Sequence, residues 1–261
     1  MSFSLPLRRA EIGLAAADQS LAGRSVLVTG AYGGLGRTAS IAAAKAGASV
    51  VLLGRKAAAL EPVYDEIIAN GWPQPAIFPM DLAAATSADF DALADSIEHE
   101  FGRLDGIVHA AAAFEGLKPL DQQKPDEWLR IQQVTLTAPF LLQRSCTPLL
   151  KQSPMAAIVH VFDDPWRMQN AFWGSYGIAK SALAAMFAIA QQETERSSLR
   201  MHGLLPAPMR TQLRRMAWFG EDTMKLPLPD ATGSAAAYLL TDAAAEYRGQ
   251  VLDLRSEEPQ A

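Results

Sequence analysis

Short apolar runs alternate with longer stretches of helical periodicity along this chain, and that alternation restricts the fold most strongly. It is typical of successive strand–helix units that build a parallel sheet. The seven predicted strands are Ser25–Thr29, Ser49–Leu53, Ala76–Phe78, Gly106–Ala110, Ala156–Phe162, Leu199–Leu205 and Val251–Leu254. The predicted helices are Leu35–Gly47, Ala57–Asn70, Ser87–Gly102, Pro125–Lys151, Gly174–Ser197 and Gly233–Thr241. The pattern therefore predicts an α/β fold, a seven-stranded parallel sheet with helices on both faces.

All 261 residues are assigned to a single domain, because no Pro/Gly/Ser linker and no internal repeat divides the chain. Residues 1–20 are expected to form a peripheral N-terminal extension and residues 256–261 a tail. Two segments, Asp163–Trp173 and Pro206–Pro229, lack clear periodicity. Loops of that length in a compact domain are usually functional lids or disordered segments.

Charge and cysteine content exclude several classes of protein. The net charge is −5 with acidic and basic residues mixed, which predicts no nucleic-acid partner, and the Arg210, Arg214, Arg215 group is interpreted as a solvated helix face. No stretch resembles a signal peptide or a membrane span, and the lone Cys146 suggests a reducing compartment, so we expect a cytoplasmic protein without a membrane partner. The four histidines lack nearby ligand partners, so no metal site is predicted.

A glycine-rich turn follows the first predicted strand directly. Its sequence is Thr29-Gly30-Ala31-Tyr32-Gly33-Gly34-Leu35-Gly36, and a helical pattern begins at once. Glycines let the backbone approach a pyrophosphate, whose charge meets free N–H groups and the positive end of the helix dipole. The turn therefore predicts nucleotide binding, with a plain tight turn as the alternative.

The next strand ends in Leu53-Gly54-Arg55-Lys56, without a carboxylate at its tip. A carboxylate there would accept from the 2′-hydroxyl of NAD, whereas arginine accommodates the 2′-phosphate of NADP. Arg55, together with Arg37 beyond the glycines, therefore favours NADP(H) over NAD(H), and the alternative is that both are surface charges. After the third strand, Asp81 either contacts the adenine or starts the following loop.

Tyr176 and Lys180 are four residues apart and share one face of the helix that follows the fifth strand. A cation beside a phenol lowers the pKa of the phenol and makes it a better proton donor to a carbonyl oxygen. Such pairs also recur by chance on helix surfaces, so the spacing alone does not establish a catalytic pair.

The order of these motifs, from the glycine turn through Asp81-Leu82 to Tyr176-x-x-x-Lys180, resembles the short-chain dehydrogenase/reductase family over residues 21–254. The resemblance implies a Rossmann-type doubly wound sheet, a bound nicotinamide cofactor and Tyr176 as general acid/base. It also implies that Lys180 holds the nicotinamide ribose while tuning Tyr176, and that Thr211 contacts the carboxamide. Family members are usually dimers or tetramers through the helices predicted at Pro125–Lys151 and Gly174–Ser197.

The sequence departs from the family pattern around the nicotinamide. Asp163 stands where the family has the serine that stabilises the substrate oxygen, and Thr135 where it has an asparagine. The Asn-Asn-Ala-Gly motif aligns with His109-Ala110-Ala111-Ala112, and Pro-Gly with Pro206-Ala207. An ionised Asp163 would oppose the charge that builds on the reacting oxygen, whereas a protonated Asp163 could donate a hydrogen bond to it.

Three functions remain open from the sequence, and one of them is a scaffold that binds no nucleotide. The first is an NADP-dependent oxidoreductase that interconverts a small-molecule carbonyl and its alcohol by hydride transfer, with Tyr176 as general acid/base, Lys180 supporting it and a neutral Asp163 assisting. The second is a catalytically impaired NADP-binding protein that acts as a sensor or assembly partner. Aromatic, Met and Arg residues in the two aperiodic segments suggest a bulky apolar substrate with an anionic group for an arginine, or else loop packing and a subunit interface.

Overall fold

One parallel sheet, with helices on both faces, organises the part of the chain that the computed structural model describes, residues 5–10 and 13–255. Its strands are β1 (Leu7–Arg9), β2 (Ser25–Thr29), β3 (Ser49–Gly54), β4 (Ala76–Pro79), β5 (Gly106–His109), β6 (Ala157–Val161), β7 (Arg200–Leu205) and β8 (Val251–Asp253). The helices are α1 (Gly34–Lys45), α2 (Ala57–Ala69), α3 (Ser87–Phe101), α4 (Pro125–Gln132), α5 (Ala138–Gln152), α6 (Pro165–Met168), α7 (Gly174–Thr194), α8 (Gln212–Ala217) and α9 (Asp230–Leu239). The strand order is β1-β8-β7-β6-β5-β2-β3-β4.

Alternate residues of the central strands face two separate hydrophobic cores. Leu27 and Ile107 belong to the core that includes residues of α3, α5 and α7, whereas Val26 and Val108 belong to the one that includes residues of α1, α2 and α9. All four are buried, which stabilises the fold by roughly 1.5–3 kcal/mol for each fully buried side chain. The predicted Rossmann-type doubly wound α/β fold is confirmed.

The chain order reverses at β2, which pairs with β3 on one side and with β5 on the other. Connections leave this point in opposite directions, so a crevice opens beyond the carboxyl ends of β2 and β5. Open α/β sheets bind their ligands in such crevices. The fold therefore places the glycine turn after β2 at the centre of the expected binding site.

The predicted count of seven strands is wrong, because the described residues form eight. The additional strand is β1, in the segment predicted to be peripheral, and it lies parallel to β8 at the sheet edge with Leu7 opposite Val251. The N–H of Val251 donates to the Pro6 carbonyl at 2.9 Å, and that of Ala10 to Asp253 at 3.1 Å. This edge pairing uses main-chain groups, so the sequence Leu-Arg-Arg shows no apolar pattern. The tail at 256–261 lies outside the described residues.

The helix predicted at Pro125–Lys151 is interrupted. Helix α4 ends at Gln132, a π-helical segment covers Gln133–Thr137, and α5 begins at Ala138. Proline has no N–H, so Pro139 cannot donate to a carbonyl in the preceding turn. The regular ladder of helical hydrogen bonds is therefore interrupted at Pro139, directly after the π-helical segment.

The two aperiodic segments contain short helices. Helix α6 lies within Asp163–Trp173, and α8 within Pro206–Pro229. The side chain of Asp164 caps α6 by accepting from the N–H groups of Trp166 and Arg167. Helix α9 begins at Asp230, three residues before its predicted start.

Candidate active site

A cavity of about 590 Å³ opens beyond the carboxyl ends of the strands, and this volume is in the usual range of ligand pockets, about 300–1,000 Å³. Most residues predicted for the site line it: Gly30, Tyr32, Gly33, Gly34, Leu35, Arg55, Asp81, Leu82, Ala110, Ala111, Ala112, Asp163, Tyr176, Lys180, Pro206, Ala207 and Thr211. Three predicted residues do not line it: Gly36, Arg37 and Thr135. The topology thus brings together motifs that lie far apart in the sequence.

The glycine turn forms one end of the cavity. Gly30 has a φ of +66°, a conformation that favours glycine, and Gly33 donates to its carbonyl at 2.8 Å. Gly36 faces the turn rather than the cavity, because a Cβ there would collide with the carbonyl of Gly30. Helix α1 begins without a side-chain cap, so its first N–H groups remain available to an anionic ligand.

Arg55 lies in the cavity wall at the end of β3. Its Nε donates to the Tyr32 hydroxyl at 3.4 Å, and this contact raises the pKa of the Arg55 guanidinium. Asp81 also lines the cavity and accepts from the N–H of Ala83 at 3.1 Å, so it starts the following loop while it faces the ligand space. Arg37, in contrast, forms an ion pair with Glu66 on α2. Of the two predicted cofactor-binding arginines, Arg55 lines the cavity and Arg37 does not.

Tyr176 and Lys180 lie one turn apart on α7, both buried at the floor of the cavity. The Lys180 ammonium donates to the Val161 carbonyl at 2.8 Å and lies 5.7 Å from the centre of the Tyr176 ring. Burial lowers the pKa of Lys180 to about 8, against the opposing effect of Asp163. Burial, and then the Asp163 charge and hydrogen bond, raise the pKa of Tyr176 well above its usual value. The expectation that this phenol has a lowered pKa is wrong.

Asp163 is an acceptor for three donors. Its Oδ2 accepts from the Tyr176 hydroxyl at 3.2 Å, and its Oδ1 accepts from the N–H of Asp164 at 2.7 Å and from Nη2 of Arg167 at 2.7 Å. The guanidinium is a permanent cation that cannot accept a hydrogen bond. All three of these contacts are ones that Asp163 accepts, whereas the sequence hypothesis has Asp163 donate to the substrate oxygen.

Aromatic side chains enclose Tyr176. The Phe114 ring contacts it edge-on at 5.2 Å between centroids, and the Trp173 ring lies 6.0 Å away. Trp173 in turn packs against Trp218, at 5.4 Å, in the segment that follows α8. Only 3% of Tyr176 is exposed, so this wall withdraws the phenol from solvent while its hydroxyl faces Asp163.

Two predicted residues have structural contacts that the sequence did not indicate. The Thr135 hydroxyl accepts from the N–H of Ala113 at 3.2 Å, and the residue is only 1% exposed within the π-helical segment. It supports the loop after β5 and does not reach the cavity. Thr211 lines the cavity and also caps α8, because its hydroxyl accepts from the N–H of Arg214 at 3.2 Å.

Arg214 is buried, so the prediction of a solvated arginine face is wrong for this residue. Its Nε and Nη2 donate to the two carboxylate oxygens of Glu221 at 2.6 and 2.7 Å. Its guanidinium carbon also lies 3.6 Å from the centre of the Trp218 ring. The ion pair and the stacking together hold α8 and the loop after it in one arrangement above the cavity.

Three of the four histidines, His109, His160 and His202, are buried core residues, whereas His99 is exposed. His109 and His160, paired on β5 and β6, stack with ring centroids 4.8 Å apart, and burial lowers the pKa of both, that of His160 to about 3. Within residues 5–10 and 13–255, no group of His, Cys, Asp or Glu side chains is placed to hold a metal ion. No helix in the same ranges is long and apolar enough to cross a membrane.

Comparisons with known proteins agree with this geometry. The family model for short chain dehydrogenases matches residues 24–221. The chain belongs to the short-chain dehydrogenase family. The uncharacterized oxidoreductase YciK of Escherichia coli K12 is 33% identical over 230 residues, which cover 88% of this chain and 91% of YciK.

Two solved structures extend the similarity to three dimensions. A protein from Pseudomonas syringae is 36% identical and has a TM-score of 0.89, with 94% of this chain and 99% of that chain covered. A protein from Escherichia coli CFT073 in complex with NADPH is 33% identical and has a TM-score of 0.85, with 91% and 99% covered. Both the sequence similarity and the structural similarity cover nearly the whole of each chain.

This short-chain dehydrogenase contains site features that sequence reasoning missed. The ion pair of Arg167 with Asp163 and the contact of Phe114 with Tyr176 were not predicted. The four-residue separation of Asp163 and Arg167 was an available signal, because such pairs meet on a helix. It was missed because the segment has no helical periodicity of its own.

Proposed function

We propose that this short-chain dehydrogenase uses NADP(H) to interconvert a small-molecule carbonyl compound and its alcohol, with Tyr176 as general acid/base. One observation carries the proposal: Tyr176 and Lys180 line the same cavity as the glycine turn. A dinucleotide that extends from the turn along this cavity would bring its nicotinamide toward the phenol. The motif order on the Rossmann-type sheet supports the same arrangement.

The residues of the cavity fit NADP(H). The uncapped start of α1 and the glycine turn would hold the pyrophosphate, and Arg55 would hold the 2′-phosphate. The NADPH complex of the related protein from Escherichia coli CFT073 supports this choice. The family resemblance assigns Lys180 to the nicotinamide ribose. To bind the ribose, its ammonium would either give up its hydrogen bond to the Val161 carbonyl or keep that bond beside the new one.

The side chains favour reduction of the carbonyl. When bound, NADPH supplies a hydride for the carbonyl carbon. Tyr176 holds a proton at its hydroxyl and gives it to the oxygen of the substrate. Burial and Asp163 raise the pKa of Tyr176, so the phenol holds at neutral pH the proton that reduction requires, although the same shift makes it a weaker acid than an ordinary tyrosine. Asp163 accepts the hydrogen bond of that hydroxyl until the substrate oxygen arrives.

The substrate side of the cavity fits an uncharged, apolar carbonyl compound. Its apolar lining includes Phe114, Met209, Leu213, Met216 and Trp218. Three arginines that line it form ion pairs with acidic residues: Arg130 with Glu115, Arg167 with Asp163 and Arg214 with Glu221. An anionic substrate would have to compete with these carboxylates. We therefore infer that the body of the substrate is recognised by apolar contact.

Exposed apolar side chains support a homodimer or homotetramer. Leu129 on α4, Phe140 on α5, and Ile178 and Ile189 on α7 are each at least 44% exposed. These helices are the ones through which family members associate. Light scattering should therefore give at least twice the monomer mass, and Phe140→Glu or Ile189→Glu should shift the mass toward the monomer. A monomeric wild-type protein at micromolar concentration would refute the association.

The proposal is tested by binding and turnover measured on the same protein. NADPH should bind in a calorimetric titration, and a panel of apolar ketones and aldehydes should be reduced at some pH between about 5 and 8. Tyr176→Phe should lower kcat/KM by about 10²–10⁴-fold and leave NADPH affinity unchanged, because it removes only the transferable proton. Tyr64→Phe, on α2 away from the cavity, is the matched control.

Two negative results have different meanings. If neither NADPH nor NADH binds, the proposal fails entirely. If NADPH binds but no carbonyl is reduced, the alternative of a cofactor-binding sensor or assembly partner is supported. Under that alternative, Asp163→Ser should create reductase activity, because it restores the donor of the family pattern.

A further inference from the structure

The reacting end of the cavity requires a hydrogen-bond donor that Asp163 does not supply. Charge develops on the carbonyl oxygen during hydride transfer, and a fixed donor stabilises it. The observed contacts of the Asp163 side chain are all accepted ones, from Tyr176, the N–H of Asp164 and Arg167. The Tyr176 hydroxyl alone would then have to stabilise the oxygen.

Arg167 brings additional donors to the same place. A guanidinium has five N–H groups, and the structure uses one nitrogen, Nη2, on Asp163. The Nε of Arg167 is buried and has no acceptor among the described residues. The donor that a substrate oxygen could reach therefore lies on the exposed part of the guanidinium and not on Nε. The side chain also lines the cavity and keeps 29% of its surface exposed.

Neighbouring groups fix the orientation of this guanidinium. Its carbon lies 4.8 Å from the centre of the Trp218 ring and 5.9 Å from that of Trp173, as in cation–π contacts. The short helix α6 begins at the Asp164 cap and places Arg167 four residues after Asp163. Arg167 and Tyr176 thus contact the two different oxygens of one carboxylate and face one cavity.

We propose that Arg167 is a further catalytic residue, which donates to the substrate carbonyl oxygen in place of the family's serine, while Asp163 is the positioning residue that holds Arg167 and Tyr176. This role rests on the carbonyl reduction proposed above. A C–H bond of NADPH would break as it is oxidised to NADP⁺, and that electron pair would form the new C–H bond of the reduced carbonyl carbon. The π pair of the C=O bond would move to oxygen, which would take the proton of Tyr176 as the phenolic O–H bond breaks. Arg167 keeps its protons and stabilises the charge, and water returns a proton to the phenolate.

A simpler role for Arg167 is to neutralise Asp163, and the two roles differ once the carboxylate is removed. In Asp163→Ala there is no charge left to neutralise, but the donor function remains, because the Trp218 and Trp173 rings still orient the guanidinium. The test therefore measures the effect of Arg167→Met in both the wild-type and the Asp163→Ala backgrounds. Arg215→Met, on the exposed face of α8 and outside the cavity lining, is the matched control for loss of an arginine.

Each variant is assayed for kcat and KM with NADPH and the best carbonyl substrate, for NADPH affinity by fluorescence, and for thermal unfolding. Arg167→Met should lower kcat about 100-fold in the wild-type background, the usual loss for one oxyanion donor, with little change in KM or NADPH affinity. The double variant should have a kcat at least 10-fold below that of Asp163→Ala alone.

Equal kcat values for Asp163→Ala and the double variant, within about twofold, would overturn the donor role, because Arg167 would then act only through Asp163. This result differs from failure of the proposed function, in which wild-type protein with bound NADPH reduces no carbonyl compound and both proposals fall. Unfolding temperatures near that of Arg215→Met show that the kinetic losses are local.

Discussion

The nucleotide end of the cavity consists of main chain and small residues, whereas the substrate end consists of charged and aromatic side chains that contact each other. Gly30 and Gly36 shape the first through the space that they leave open. Asp163, Arg167 and Tyr176 shape the second through one shared carboxylate. A turn of glycines can hold the same phosphate in many proteins, but a side-chain network has to be rebuilt whenever one member changes.

The largest expected effect tests the steric basis of the nucleotide end. Gly36→Val would place a side chain against the carbonyl of Gly30 and displace the turn. We expect NADPH affinity to fall at least 100-fold, about 2.7 kcal/mol, with the substrate end intact by near-ultraviolet circular dichroism. Gly220→Ala is the control, because a Cβ there meets no atom within 4 Å. Unchanged affinity in Gly36→Val would show that the turn does not form the binding surface.

Arg55 tests whether the nucleotide end also selects the cofactor by charge. Arg55→Glu should lower NADPH affinity about 10–100-fold and raise the preference for NADH, since a carboxylate repels the 2′-phosphate and accepts from a 2′-hydroxyl. The neighbouring Lys56→Glu makes the same charge change outside the cavity lining and serves as the control. Equal losses in both variants would mean that net charge, and not the position of Arg55, determines the affinity.

The buried histidines behind the substrate end predict a pH effect on stability. The pKa of His160 is about 3 in the folded protein, below its ordinary value of 6.5. The unfolded chain therefore binds a proton as the pH falls below 6.5 while the folded chain does not. The free energy of unfolding should decrease by about 1.4 kcal/mol per pH unit for this residue, and the full stability is present above pH 6.5.

His160→Phe should remove that contribution, about 2 kcal/mol at pH 5, and flatten the decline measured by urea unfolding between pH 6.5 and 4. His99→Phe, on the exposed side of α3, is the control for loss of a histidine. An equally steep decline in His160→Phe would show that other groups, such as His109 and His202, account for the acid sensitivity.

The smallest effect concerns the segment above the substrate end. Glu221→Gln leaves the buried Arg214 without its carboxylate but keeps an acceptor and the contact of Arg214 with Trp218. We expect a loss of about 1 kcal/mol in unfolding free energy, because Glu221 is partly exposed and solvent can compensate. Glu246→Gln, in an exposed pair with Arg8, is the control. A loss no larger than in this control would indicate that the stacking alone holds the segment.

The glycine turn, the strand ends and the Tyr176–Lys180 spacing could be predicted because each depends on neighbours in sequence. Arg55 was predicted to face the ligand and Arg37 with it, yet Arg37 pairs with Glu66 on a different helix. The strand β1 could not be predicted, because its partner β8 lies at the other end of the chain. The sequence also left open whether Asp163 is ionised or protonated, because no local pattern shows which distant groups contact its carboxylate.

The sequence by itself determined the alternation of strands and helices, the position of the nucleotide turn and the spacing of the phenol and the ammonium, because periodicity and turn chemistry act over a few residues. Only the tertiary structure decided that Tyr176 is buried among Phe114 and Trp173 and that its hydroxyl meets a carboxylate. Desolvation and charge pairing depend on which distant segments pack together, and those effects raise the pKa of this phenol.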